Sequence, residues 1–119
     1  MSKKLLFMLA KPPYRTPHGL EALEAALVAG VFDQSVSVLF RADAVWHLVK
    51  GQDGSAIGQR TMGKVAASLP EYDITDLYVC SDSMQERGLD LNDLVVSVKA
   101  LDQQAQRDLI ALQHAVVND

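Results

Sequence analysis

The stretch LLFMLA (residues 5–10) is an uninterrupted apolar run that stops before Pro12 and Pro13. A run of this length without polar alternation is typical of a strand that is buried on both faces. Such strands belong to parallel sheets, because the crossover connections of a parallel sheet lay helices against both of its faces. The stretch therefore predicts a fold built on a parallel sheet.

The sequence after Pro13 supplies a helix and a second strand. Between Gly19 and Gly30, leucines recur at helical spacing with glutamates on the opposite face, which indicates an amphipathic helix. Gly30 is the predicted end of that helix, since glycine is common just past a helix C-terminus. Residues 36–40, VSVLF, predict the second strand, and a strand–helix–strand unit of this kind is by default a right-handed crossover.

Strands and helices continue to alternate along the rest of the chain. The pattern predicts a single α/β domain over residues 1–119, flavodoxin-like and three-layered, with a mainly parallel sheet of about five strands. The further predicted elements are a short helix at 42–49, a helix at 62–69 ended by Pro70, a strand at 77–80, a helix at 81–87 with Ser81 as N-cap and Gly88 as stop, a strand at 94–98, a helix capped by Asp102 that carries His114 near its end, and a short strand at 115–117.

Length and composition exclude several classes of protein. Of the 119 residues, 49% are apolar and 22% are charged, which is ordinary for one globular domain. No apolar run approaches the ~20 residues that a membrane-spanning helix needs, and the run after Lys3 and Lys4 is too short for a signal peptide. The net charge is −4 and the basic residues are scattered, which argues against nucleic-acid binding. We therefore expect a cytoplasmic protein with no membrane and no direct nucleic-acid partner.

Cys80 is the strongest candidate for a reactive residue. It ends the predicted third strand and precedes a predicted helix, and ligands of open α/β sheets bind beyond the carboxyl ends of the strands. Free N–H groups at a helix start lower the pKa of a thiol placed there, whereas the Asp82 carboxylate raises it. The alternative is a buried core cysteine. Because the chain has one cysteine, no intrachain disulfide can form.

His18 follows the first strand and is the candidate partner of Cys80, since a nearby imidazole can activate a thiol. His47 and His114 are expected on helices, at surface or hydrogen-bonded positions. The histidines share no metal-ligand spacing with Cys80, and the glycines between 51 and 58 match neither a phosphate loop nor a dinucleotide-binding motif. The sequence therefore predicts no metal and no cofactor.

Several segments, in chain order, match a known family. They are GLEALEA (19–25), LFRADAVWHL (39–48) followed by Gly51 and Gln52, YDI (72–74), YVC (78–80) and ERGLD (86–90). Together they resemble the TusC/DsrF-type subunits of the DsrE-like sulfur-relay family, which forms the TusBCD and DsrEFH complexes. The resemblance covers nearly the whole chain and implies a single DsrE-like domain.

The resemblance also implies a function and partners. TusBCD-type complexes are heterohexamers of TusB-, TusC- and TusD-like subunits that pass persulfide sulfur between upstream and downstream carrier proteins, for 2-thiolation of the wobble uridine of tRNA. DsrEFH-type complexes serve sulfur oxidation instead. The established carrier cysteine of the family belongs to the TusD/DsrE-type subunit, at the end of its third strand. Cys80 matches that place, so it is a candidate sulfur carrier in a subunit that is either sulfur-carrying or non-catalytic.

Two further functions stay open from the residues alone. A stand-alone thiol enzyme would use Cys80 and His18, although the chain has no second cysteine to resolve an intermediate. A small-ligand or signalling module could share a flavodoxin-like fold, because fold alone does not decide function. A receiver domain of that kind needs an acidic cluster after the first strand, where this chain has Lys11-Pro12-Pro13.

Overall fold

Five parallel strands and four α-helices make up the part of the chain that the computed structural model describes, which is residues 3–12, 18–32, 34–50 and 62–119, without the side chains of residues 18–20 and 62–64. The strands are β1 (Lys4–Leu9), β2 (Ser35–Phe40), β3 (Asp76–Cys80), β4 (Lys99–Leu101) and β5 (Ala115–Asn118). The α-helices are α1 (His18–Val31), α2 (Met62–Ala67), α3 (Ser81–Glu86) and α4 (Gln103–Ala111), and 3-10 helices cover Ala42–Leu48, Leu69–Tyr72 and Leu91–Asp93. The strand order is β4-β3-β2-β1-β5, so β4 and β5 are the edges of the sheet.

β1 is buried on both faces, as its apolar sequence predicts. Phe7 and Leu9 belong to the larger core, which also contains side chains from α1, α2 and α3. Leu6 and Met8 belong to a second, smaller core that side chains of α4 cover. β2 and β5 flank β1 in parallel register. The sheet therefore has helices against both faces, and the predicted three-layer α/β arrangement with a parallel sheet is confirmed.

The predicted strand at residues 94–98 is wrong, because β4 consists of Lys99–Leu101 instead. In the segment before β4, the Val95 N–H donates to the carbonyl of Leu48 at 2.8 Å. Its backbone is thus bonded to the 3-10 helix after β2 and not to β3. The valines of the segment are apolar because they pack against the larger core from this irregular position.

Gly88 and Asp102 mark helix ends as the sequence predicts, whereas Gly30 does not. Gly30 lies inside α1, so the prediction that the helix ends there is wrong. The glycine instead makes room for Ile74, because a Cβ at Gly30 would lie 3.1 Å from Cδ1 of Ile74. Gly88 has a φ of 64° just after α3, a conformation that glycine adopts freely, and is the stop that was predicted. Asp102 caps α4 as predicted, because its Oδ1 accepts the Ala105 N–H at 2.8 Å.

The described helices are short, and α1 has 14 residues. Within the described ranges, no helix combines the length and the apolar character that crossing a membrane requires.

Candidate functional site

Cys80 is the last residue of β3, and only 4% of it is exposed. Side chains alternate between the two faces along a strand, so Cys80 points to the same face as Tyr78, towards α4. Its neighbour in register on β4 is Leu101. The thiol therefore lies at the carboxyl edge of the sheet, where the sequence predicts it, but beneath a helix.

α3 starts directly after Cys80, and Cys80 is itself the N-cap residue. Its φ of −73° and ψ of 120° are extended, whereas Ser81 is already helical, so the predicted role of Ser81 as the cap is wrong. The first N–H groups of a helix have no partner within the helix. Those of Asp82 and Ser83 face the Cys80 sulfur. A strand that runs straight into a helix thus surrounds the thiol with N–H donors.

The pKa of the Cys80 thiol lies below its ordinary value. Burial on its own raises that pKa, because the thiolate loses hydration. Hydrogen bonds to the sulfur outweigh burial, and they come from the hydroxyl and N–H of Ser83, the amide of Gln106 and the N–H of Asp82. Near neutral pH, a larger fraction of Cys80 is therefore thiolate than in an exposed cysteine.

Ser83 joins the surroundings of Cys80 to the end of the neighbouring strand β2. Its Oγ accepts the N–H of Ala42 at 2.9 Å. Ala42 begins the 3-10 helix after β2 with a φ of 49°, which is uncommon for a residue that has a side chain. One turn along the chain from Ser83, Arg87 donates to Oδ1 of Asp43 through Nη2 (2.9 Å) and Nε (3.2 Å). α3 is thereby attached to two consecutive residues beyond β2.

Two glutamines of α4 approach the thiol from the other side. Nε2 of Gln103 lies 4.0 Å from Sγ of Cys80 and 3.3 Å from Oδ2 of Asp82. Gln106 is 5% exposed, and its Nε2 donates to the carbonyl of Leu101 at 3.1 Å. The Asp82 carboxylate, which was expected to raise the pKa of Cys80, is exposed and accepts from Gln103. The residue acts on the thiol through its backbone N–H, which lowers that pKa.

The histidines have separate roles. His18 begins α1, but its side chain lies outside the described residues, so its pairing with Cys80 stays a prediction. His47 is fully buried on the 3-10 helix after β2, and its Nε2 lies 3.1 Å from the carbonyl oxygen of Lys11. Burial lowers the pKa of His47 against the opposing effects of that carbonyl and the negative charge of Asp119. His47 is therefore a hydrogen-bonded core residue, as expected.

His114 lies between α4 and β5, so the expectation of a helical position is wrong. Its Nδ1 accepts the N–H of Lys4 at 2.8 Å, and its own N–H donates to the Lys4 carbonyl at 2.8 Å. The residue thus aligns β5 with β1. Among the residues that the structure describes, no group of three or more His, Cys, Asp and Glu could hold a metal ion. The glycines between 51 and 58 lie outside those residues.

The sequence prediction missed Ser83, Gln103 and Gln106. Ser83 carries a local signal, because it stands three residues after the cap, the spacing at which a cap meets the first turn of its helix. Gln103 is 23 residues from Cys80 along the chain. The sequence around the thiol gives no signal for either glutamine, since only the packing of α4 on the sheet brings them there.

Known proteins similar to this chain match between about three quarters and all of it. A sequence model described as the DsrE/DsrF-like family matches residues 3–118. The intracellular sulfur oxidation protein DsrF of Allochromatium vinosum is 41% identical over 78% of this chain and 68% of its own length. The protein TusC homolog of Pseudomonas aeruginosa is 37% identical over 98% of both chains. The crystal structure of the YchN protein from E. coli superposes with a TM-score of 0.85 over 100% of both chains at 15% identity, which shows a shared fold alone.

Proposed function

The chain belongs to the DsrE/DsrF-like family, and on that basis we propose that it is a TusC-type subunit of a sulfur-relay complex. The complex passes persulfide sulfur towards 2-thiolation of the wobble uridine of tRNA, which yields 5-methylaminomethyl-2-thiouridine. The Pseudomonas aeruginosa relative named as a TusC homolog supports this function, because its similarity extends over 98% of both chains.

The environment of Cys80 is the observation that carries the proposal. The Cys80 thiolate attacks the terminal sulfur of a donor persulfide, and a bond forms between its Sγ and that sulfur while the S–S bond of the donor breaks. The donor leaves as a thiolate, and the transferred sulfur keeps its proton or gives it to water. No external oxidant or reductant is consumed. A thiol whose pKa is lowered by hydrogen bonds supplies the nucleophile at neutral pH.

The same hydrogen bonds serve the second half of the transfer. When an acceptor thiolate attacks the terminal sulfur of a Cys80 persulfide, Cys80 is the leaving group. A thiolate of lower pKa leaves faster, so donors from Ser83 and Gln106 assist release as well as capture. One arrangement of donors therefore suits both directions of sulfur exchange.

Exposed apolar side chains support assembly with TusB-like and TusD-like sister subunits into a heterohexamer. Val28, Val31 and Phe32 lie at the end of α1 and are each more than half exposed. Adjacent apolar side chains of this kind are typical of contact surfaces. With a net charge of −4, the chain acts on tRNA through other relay proteins. A single free thiol also suits the cytoplasm, where thiols stay reduced.

Persulfide loading tests the proposal. The chain is co-expressed with TusB-like and TusD-like subunits, and the purified complex is incubated with a persulfide donor before intact mass spectrometry. We expect a stable complex and a gain of one sulfur atom on this chain that reduction removes, that Cys80→Ser abolishes and that the control Ser81→Ala retains. A monomer in the presence of both sister subunits contradicts the assembly. A sulfur gain confined to a sister subunit contradicts the carrier role of Cys80.

A DsrF-type subunit of a sulfur-oxidation complex is the second candidate function. The 41% identity to the Allochromatium vinosum sulfur oxidation protein favours it. Expression in cells that lack their own TusC separates the two functions, with 2-thiouridine in tRNA as the readout. Restored 2-thiouridine supports the tRNA function. An intact complex that leaves tRNA unthiolated supports sulfur oxidation.

A further inference from the structure

The Cys80 thiol has neighbours of two kinds, which differ in their freedom to move. Leu101, its partner on β4, is buried, and so is Gln106, which donates to the Leu101 carbonyl at 3.1 Å. Protein interiors are close-packed, so neither side chain can move away without opening a void. Gln103 and Asp82, by contrast, are exposed. Among the described residues, these two are thus side chains near the thiol that can turn into solvent without disturbing the core.

Gln103 connects the sulfur of Cys80 to the carboxylate of Asp82. It is the first residue of α4, and its Nε2 lies 4.0 Å from Sγ of Cys80 and donates to Oδ2 of Asp82 at 3.3 Å. A side-chain amide nitrogen carries two N–H groups, so one can face the carboxylate while the other faces the sulfur. An exposed side chain that contacts a buried sulfur lies between that sulfur and solvent. The Gln103 amide therefore covers the thiol.

Asp82 holds the Gln103 amide in this position, but not firmly. Asp82 lies in the first turn of α3 and Gln103 in the first turn of α4, so their contact joins the starts of two helices across the end of the sheet. A hydrogen bond between two exposed groups competes with water, and its net contribution to stability is modest. Exposed side chains also change rotamer within nanoseconds. The amide can therefore leave the sulfur and return while both helices stay folded.

We infer that Gln103, held by Asp82, is a specificity-determining residue for Cys80, because its amide closes the approach to the sulfur and admits only molecules that displace it. The relevance of Gln103 to sulfur transfer rests on the proposed function, whereas its covering of the thiol does not. A protein bound against this edge of the sheet can use the free energy of its other contacts to displace the amide. A small thiol in solution has no such contacts and meets the closed arrangement.

Alkylation of Cys80 in the full chain by two uncharged reagents, iodoacetamide and the larger iodoacetanilide, tests this role. Rates are compared at a pH where the thiol is fully ionised, so that differences in its pKa do not affect them. In Gln103→Ala the rate with iodoacetanilide rises about three- to tenfold, the effect of losing one hydrogen bond on an open–closed equilibrium, and the rate with iodoacetamide rises less. The control Gln104→Ala, whose side chain bonds to Asp108, leaves both rates unchanged. Unchanged rates in Gln103→Ala overturn the inference.

Two further variants separate the contact with Asp82 from the bulk of the side chain. Gln103→Glu keeps the shape but replaces the N–H donor with a carboxylate that Asp82 repels, so it reacts as fast as Gln103→Ala; a rate equal to that of the unaltered chain overturns the inference. Asp82→Ala raises the iodoacetanilide rate by itself but adds nothing to Gln103→Ala, and independent effects of the two substitutions also overturn it. A chain that alkylates as expected but gains no sulfur contradicts the proposed function alone.

Discussion

Arg87 and Asp43 form an ion pair in which Nη2 lies 2.9 Å from Oδ1, and it connects α3 to the 3-10 helix beyond β2. The Arg87 side chain is 19% exposed and that of Asp43 is 54% exposed. Nη1 of Arg87 also donates to the carbonyl of Ser83 at 3.1 Å. The guanidinium thus reinforces, from one helical turn away, the contact between Ser83 and Ala42.

Replacement of Arg87 by alanine should lower the free energy of unfolding by about 1 kcal/mol, the range of a partly exposed ion pair with one further hydrogen bond. Arg87→Lys should recover little, because an ammonium group cannot reproduce the fork of a guanidinium. Urea unfolding measures the effect. Arg107→Ala, on the exposed surface of α4, is the control, and equal stability of the two alanine variants would contradict a structural role for the pair.

Sulfur loading of Cys80 should speed up as the pH rises and level off earlier than for an exposed thiol. The pKa of Cys80 is lowered, so the thiolate forms at lower pH; as the pH falls through that lowered pKa, the sulfur is protonated and the rate declines. Initial rates from about pH 5 to pH 10 give the midpoint, with glutathione as the exposed reference thiol. A midpoint at or above that of glutathione is the contrary outcome.

His47 should make the fold less stable in mild acid. Its folded-state pKa is depressed mainly by burial, so the unfolded chain takes up a proton first as the pH falls below about 6.5, and stability declines from there towards the lower folded-state pKa. His47→Gln, which keeps a donor for the Lys11 carbonyl, should lose less stability than the unaltered chain over that interval. Denaturant titrations at several pH values provide the comparison, and parallel pH profiles would argue against His47 as the cause.

Gly30→Ala should destabilise the fold by about 1 kcal/mol, although alanine is the better helix former. The new Cβ would lie 3.1 Å from Cδ1 and 3.2 Å from Cγ1 of Ile74, whose side chain is 2% exposed and has little room to move. Valine lacks Cδ1, so Ile74→Val removes the nearest contact, and Gly30→Ala should cost less in that background. Thermal unfolding of the four proteins checks this coupling, and simple additivity would contradict it.

Most of the sheet was predictable because burial of its strands leaves a visible apolar pattern in the sequence. The run at residues 5–10 is apolar since both faces of β1 are covered, and Cys80 was found because strand ends gather at one edge of a parallel sheet. The prediction failed at 94–98, where the apolar residues reach the core from an irregular segment. β4 is a three-residue edge strand with two exposed positions, so no hydrophobic pattern marks it.

The surroundings of Cys80 were less accessible to sequence reasoning. The contact between Ala42 and Ser83 spans 41 positions of the chain and depends on how β2 ends. Gln106 reaches the sulfur only because α4 packs across the smaller core. A strand-end cysteine and the N–H groups of the helix that follows it are therefore predictable from the sequence, whereas the Gln106 donor depends on tertiary packing.

Because Cys80 is only 4% exposed, a sulfur atom transferred to it is protected from thiols in solution. Dissolved glutathione must approach the terminal sulfur of a persulfide closely to strip it, and side chains of β4 and α4 crowd that approach. In the proposed relay, loss of cargo to the surrounding solution is slow, while an acceptor held against the subunit by its own contacts gains entry. The time for which sulfur stays on Cys80, and the protein that receives it, thus depend on access to the sulfur as well as on thiol chemistry.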